Sequence, residues 1–315
     1  MKKIPRTLAA CLLAVSLSTL STPIVSHAGD LNQIVHADEP LAPAGELSNF
    51  TQGHADLGPL MVPYEDSAFD AYIRDDTQVP AVWRKPEDVL FVVDSKAEQT
   101  LPNTDDFGFV GAKPGQKVWV VPQVEQVGVP WLGWSTQSPA FVNSAVRGVT
   151  MTFVGHQGPG QFTLFLQNGG FEKPQLLWTS ANKSAQDLWV ELNTHTHANW
   201  VFTEAGIHNV AIKISAELND GKTHEVTRVL TFAVGEVEDL PAAQATQWEG
   251  EFLTTAEGEN PTGDSNAPAQ GDNQLALWGL IGVVALLVIV SLVVVFRAMS
   301  AQPSKKKKST GGDNA

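Results

Sequence analysis

Two short stretches of this sequence have the residue types and spacing of a metal chelate. Thr194-His195-Thr196-His197 places two imidazoles at i and i+2, and Gly53-His54-Ala55-Asp56 repeats the spacing with one imidazole and one carboxylate. On an extended chain, side chains two apart project from the same face. Neutral imidazole is a good ligand for zinc and similar divalent transition metals, and a carboxylate adds charge. His54, Asp56, His195 and His197 are therefore the candidate metal ligands, on the condition that their strands lie side by side. His156 and Glu204 are weaker candidates for the same set. The competing reading is that His195 and His197 are strand-end histidines hydrogen-bonded to backbone or water. Leu188, Val190 and Leu192 have the opposite parity to this pair, so an uninterrupted strand would turn both histidines away from that core. His208 shares the parity of Val210 and Ile212 and is expected inside, and His224 follows the Asp220-Gly221 turn and is expected in solvent.

Aromatic residues form a second group. Val129-Pro130-Trp131-Leu132-Gly133-Trp134-Ser135 reads as a Pro/Gly-rich loop carrying two indoles. Exposed indoles stack on sugars and on partner proteins, which makes Trp131 and Trp134 candidate ligand-binding residues. Trp119 and Trp200 are expected to fill the core. Gly155-His156-Gln157-Gly158-Pro159-Gly160 joins two strand patterns, so it is a turn; a phosphate loop leads into a helix. There is no Gly-x-Ser-x-Gly elbow and no His-Glu-x-x-His motif, and the expectation is a binding protein, not an enzyme.

The elements that must position these residues are strands. Val89 to Val93 is a continuous apolar run, as is Lys117 to Val124. Val149, Met151 and Phe153 alternate with polar neighbours, as do Phe162, Leu164 and Leu166, and then Val210, Ile212, Ile214 and Ala216. Such period-2 patterning marks half-buried strands. Gly, Pro, Asn and Asp clusters separate the runs, and Asp220-Gly221 between two alternating segments is a hairpin signal. Residues 46–235 are accordingly expected to form an all-β antiparallel β-sandwich. Residues 29–45 read as a polar lead-in. Residues 236–274 carry nine acidic residues and no Lys or Arg, the composition of a disordered stalk, with Trp248 and Phe252 as exceptions that dock on the domain.

The two ends read as membrane-directed. Residues 1–28 have a basic start, an apolar centre and small residues at Ser26-His27-Ala28, which makes them a signal peptide. Residues 275–296 are an uncharged apolar run long enough for one transmembrane helix, and the basic tail 297–315 then stays in the cytoplasm. The expected location is a cell membrane crossed once, with residues 46–235 outside. Cys11, the one cysteine, lies in the leader, so disulfides and thiolate metal sites are excluded from the rest. The leader carries a net +3 and the tail +4, so the −14 of the whole chain becomes −21 between them. That charge argues against nucleic acid as a partner.

Several of these segments resemble a known family. Pro86-Glu87-Asp88-Val89, Phe107-Gly108-Phe109-Val110-Gly111, Val118-Trp119-Val120-Val121-Pro122-Gln123, Gly133-Trp134-Ser135-Thr136 and His195-Thr196-His197-Ala198-Asn199-Trp200-Val201-Phe202 occur in the order seen in the choice-of-anchor M domain of actinobacterial surface-anchored proteins. Gly53-His54-Ala55-Asp56 matches a Gly-His-Val-Asp element there, with Ala55 for Val. The likeness covers residues 47–235. It implies a surface-anchored protein associated with ABC transporters that resemble zinc and manganese importers. This chain carries one copy of the domain and has no Leu-Pro-x-Thr-Gly sortase signal. The functional expectation is a surface protein that assists zinc or manganese acquisition alongside ABC transporter components. The alternative is adhesion to a host or cell-wall ligand through Trp131 and Trp134.

Overall fold

A computed structural model describes residues 33–62, 68–169 and 172–255. The signal peptide, the apolar run 275–296 and the basic tail lie outside these residues. No described helix is long and apolar enough to cross a membrane. In chain order the strands are β1 (Ser48–Phe50), β2 (Gly53–Val62), β3 (Ala68–Asp75), β4 (Val82–Arg84), β5 (Val89–Val93), β6 (Glu98–Thr100), β7 (Lys117–Val121), β8 (Pro130–Ser135), β9 (Gly148–Gln157), β10 (Phe162–Leu166), β11 (Gln175–Thr179), β12 (Gln186–Glu191), β13 (His195–His197), β14 (Asn199–Phe202), β15 (Gly206–Glu217) and β16 (Thr223–Val234). Two short helices, α1 (Pro139–Ser144) and α2 (Leu240–Gln244), accompany them.

The strands form three sheets, so the all-β expectation holds. The first runs β1-β5-β16-β15-β9-β12, the second β11-β10-β14-β7-β6, and the third β13-β8-β2-β3-β4. The first two face each other as in a sandwich: Phe153 meets Phe162 and Trp178, and Phe232 meets Trp200 and Phe202. Leu57, Ile73, Leu132 and Trp134 of the third sheet join the same core.

The sheets are not purely antiparallel. β5 pairs parallel with β1 and β16, and β2 pairs parallel with β8. The continuous apolar run of β5 fits such a position, because a parallel strand is covered on both faces. The Asp220-Gly221 hairpin forms as expected: β15 and β16 pair from Glu217↔Thr223 to Gly206↔Val234, with Gly221 at φ 75°.

The acidic segment does not leave the domain at residue 236. Ala243 on α2 is fully buried, the Leu253 amide donates to Val154 O at 2.7 Å, and the Ala185 amide donates to Thr254 O at 3.0 Å. Trp248 and Phe252 stack on each other at 5.3 Å. Of 236–274, expected to be a disordered stalk apart from Trp248 and Phe252, residues 236–255 lie on the domain, with Val237, Leu240, Ala243 and Leu253 also packed there; residues 256–274 lie outside the described part.

Candidate metal centre

Strand parity breaks between Leu192 and His195, because the chain changes sheet there. β12 pairs with β9 in the first sheet, and β13 pairs with β8 in the third. The change is made at Asn193, which adopts φ 57°, a left-handed conformation that Asn tolerates better than most residues. The Thr136 amide donates to Thr194 O at 2.9 Å and the Thr194 amide donates to the Thr136 hydroxyl at 3.0 Å, which holds Thr194 beside Thr136. The histidines therefore do not face away into solvent: His195 and His197 are both buried.

Strand pairing puts the ligand pairs in one place. β8 is the middle strand, with β2 on one side and β13 on the other. Asp56 is opposite Gly133, and Gly133 is opposite His197, so one row crosses all three strands. His54 lies opposite Trp131 and His195 opposite Ser135, on the same face by the two-residue period. Ala55 and Leu57 take the other face and join the core.

The Nε2 atoms of the three histidines converge. His54 lies 2.8 Å from His197 and 3.2 Å from His195, and His195 lies 3.1 Å from His197. Asp56 Oδ2 is 3.2 Å from His195 Nε2 and 3.7 Å from His54 Nε2, and its Oδ1 is 3.8 Å from His197 Nε2. Neither carboxylate oxygen accepts a well-formed hydrogen bond although the residue is fully buried. A buried carboxylate in that condition is costly without a compensating cation. The imidazoles have the same difficulty. Each Nε2 carries either one proton or one lone pair, so three nitrogens in mutual contact cannot all be satisfied by one another. These four residues could hold a metal ion. Tetrahedral zinc with bonds of 2.0–2.1 Å needs donor atoms roughly 3.3 Å apart, within a few tenths of an ångström of the nitrogen spacings.

A second layer fixes the ligands. His54 Nδ1 donates to Asp76 Oδ2 at 2.7 Å, which leaves Nε2 free to face the centre. Arg74 donates to Asp76 through Nη1 at 2.9 Å and to both oxygens of Glu39 through Nε and Nη2 at 2.8 and 2.6 Å. Trp83 Nε1 donates to Glu39 at 2.9 Å. The lead-in is thus built into the site: Val35 and Leu41 pack beside Glu39 against Leu60, Val62, Tyr72 and Trp83, covering the outer face of the third sheet.

Electrostatics follow from this packing. Burial works against the His54 imidazolium, but the Asp76 hydrogen bond and the charge of Asp56 outweigh it and raise the pKa. Burial also works against the Asp56 carboxylate, yet His195, His54 and His197 hold its pKa below the usual value. His197 is pushed down to about 3, chiefly by burial, and is neutral at pH 7 as a ligand must be.

Trp131 and Trp134 are not loop residues. Both lie in β8 and are buried, because the Pro130-Trp131-Leu132-Gly133-Trp134 stretch extends as a strand covered on both faces. Trp134 enters the core. Trp131 stacks on His197 with ring centroids 4.0 Å apart, and its Nε1 donates to Gln123 O at 3.1 Å. It walls the site instead of presenting an indole to a ligand. His156 and Glu204 do not reach the cluster. His156 Nε2 is 2.9 Å from His208 Nδ1, while His208 Nε2 donates to the Glu204 backbone carbonyl. His208 is fully buried as expected. Sequence reasoning missed Asp76, Arg74, Glu39 and Gly133. The run Arg74-Asp75-Asp76 following an alternating strand was the available signal for the first two.

Comparison with family models, with curated proteins and with solved structures finds no match.

Proposed function

We propose that this protein binds one divalent transition metal ion, zinc above others, through His54, Asp56, His195 and His197. The observation that carries the reading is the convergence of three Nε2 atoms within 3.2 Å of one another on a buried carboxylate. Charge supports a divalent ion. Asp56, Asp76 and Glu39 against Arg74 leave −2 around three imidazoles, and one divalent cation neutralises it. Three nitrogens and one oxygen suit zinc better than manganese, which prefers carboxylate, carbonyl and water oxygens. Four protein donors complete a tetrahedral shell, which favours holding the ion over activating a bound water.

The leader, the apolar run and the basic tail support presentation of this site outside a membrane crossed once. The motif resemblance to choice-of-anchor M proteins supports an ABC importer for zinc or manganese as the proposed partner, with this chain as its surface metal-binding component. Adhesion through Trp131 and Trp134 lacks the exposed indoles it requires. Metal analysis of the purified protein tests the reading. Expected are about one equivalent of zinc per chain, and replacement by cobalt with the intense visible bands of four-coordinate cobalt. Protein that stays metal-free after incubation with zinc, cobalt and manganese would overturn it.

A further inference from the structure

Given the metal site, on which this inference rests, we propose that the cleft beside His54 is the port through which the ion is loaded and withdrawn. His54 is then the ligand that leaves first.

A cleft of about 540 Å³ opens next to the cluster, lined among others by Gln52, His54, Asp76, Thr77, Glu125 and Gln126. Of the four ligands, only His54 lines it. The side-chain exposures agree: 16% for His54 against 3%, 5% and 0% for His195, His197 and Asp56. Among the described residues, other approaches are covered. Trp131 lies flat on His197. The Gly133 backbone leaves no room for even a methyl group, since a Cβ there would sit 2.7 Å from Asp56 Oδ1 and 2.8 Å from His197 Cε1. Glu39, Arg74 and the small apolar cluster of Leu60 and Trp83 cover the outer face.

The cleft has the size and lining for a hydrated cation. Six waters at ~30 Å³ each occupy about 180 Å³, well inside its volume. Asp76 lines the same cleft and accepts from His54 Nδ1, so an arriving ion meets a carboxylate beside the imidazole. Withdrawal is a ligand exchange with no redox change. An incoming carboxylate or imidazole donor reaches the ion from the cleft, its lone pair forms the new bond, and the His54 Nε2 bond breaks with its pair retained on nitrogen. The chemical class that unloads the site is therefore a compact oxygen or nitrogen donor able to enter the cleft.

The single cysteine of the chain makes a direct test possible. In a Cys11→Ser background, Gln52→Cys and Glu125→Cys place a thiol on two different parts of the cleft wall, and Lys222→Cys places one in the distant β15–β16 turn. Each variant is loaded with zinc and split, and half is labelled with a polyethylene-glycol maleimide. Zinc release to a small chromophoric chelator is followed by stopped flow. Labelling at Gln52→Cys and at Glu125→Cys is expected to slow release at least ~10-fold while equilibrium affinity stays within about threefold, and labelling at Lys222→Cys is expected to change neither. Labelled cleft variants that release zinc as fast as their unlabelled halves overturn the port and leave the metal site standing. Unlabelled protein that binds no zinc overturns both.

Discussion

Gly133→Ala is the most informative single change in this protein. Gly133 occupies the middle of the row that joins Asp56 to His197, and a Cβ built there lies 2.6 Å from Thr196 O, 2.7 Å from Asp56 Oδ1 and 2.8 Å from His197 Cε1. Ordinary contact begins near 3.4 Å, so the neighbours must move apart by about 0.6–0.8 Å. A metal site tolerates ligand displacements of only about 0.2 Å. The added methyl therefore presses on two ligand side chains and on the Thr196 backbone carbonyl together. Overpacking of this kind costs about 1–3 kcal/mol, and for a domain of this size each kcal/mol moves Tm by about 2–4 °C. The metal-free variant should melt roughly 2–12 °C below the parent. Zinc at 100 times its Kd adds about 2.7 kcal/mol to the parent, a rise of about 5–11 °C. If the variant's Kd rises 100-fold, the same zinc concentration adds only ~0.4 kcal/mol, a rise of 1–2 °C. Differential scanning fluorimetry with and without zinc measures both shifts. Gly108→Ala, where a Cβ meets nothing within 4 Å, serves as the control and should keep the full zinc response. A Gly133→Ala variant with the parent's zinc response would refute the claim that Asp56, Gly133 and His197 surround an ion.

Four further outcomes are expected. His195→Ala combined with His197→Ala should abolish the zinc-induced rise, and it should also lower the metal-free Tm, because both rings are buried and Trp131 loses its stacking partner; an unchanged metal-free Tm would contradict that packing. Asp76→Ala removes the acceptor that orients His54, so chelator competition should show zinc affinity reduced about 10–100-fold; full affinity would mean that Asp76 has no orienting role. Burial pushes His156 down to about 3 and His208 down to about 4, so both stay neutral in the folded protein while the unfolded chain takes up protons. Stability is then fully present above pH 6.5 and falls with pH, by roughly 3 kcal/mol for His208 alone between pH 6.5 and 4; urea titrations should show a shallower loss in His208→Gln, and an equal slope would count against the assignment. Hydrogen exchange should be slow at the amides of Leu253 and Ala185, which bond across the docked acidic segment; exchange at unstructured rates would place that segment off the domain.

The buried charges explain why the second layer is as extensive as it is. Glu39, Arg74 and Asp76 are mutually paired, and Trp83 supplies a further donor to Glu39. A buried ion pair compensates its desolvation only when its remaining lone pairs and protons are also used. Bidentate Arg74–Glu39 geometry does this and leaves Nη1 for Asp76. The carboxylate that orients His54 is thereby held in place by the lead-in segment, through a residue more than a dozen positions before the first ligand.

What the sequence determined by itself was whatever a single strand can express. Apolar alternation placed β9, β10, β15 and β16, because burying one face of a strand imposes a two-residue period. Asp220-Gly221 marked the long hairpin, since a turn there needs a residue free to take positive φ. His54 with Asp56, and His195 with His197, each share a face for the same geometric reason, and the four do meet. The tertiary structure decided the rest. Parity cannot be carried past Asn193, where the chain passes from the first sheet to the third, so the side on which His195 and His197 lie could not be read from Leu188, Val190 and Leu192. The β2–β8 pairing that joins the two ligand pairs is parallel and spans more than 70 residues of chain, and no local pattern encodes such a contact. Trp131 and Trp134 read as a loop pair because Pro and Gly surround them, yet β8 is buried between β2 and β13, with Trp131 against His54 and His197 and Trp134 in the core. Local sequence reports which side chains point together; only the assembled sheets determine what covers them, and here that cover makes a histidine pair into a buried site.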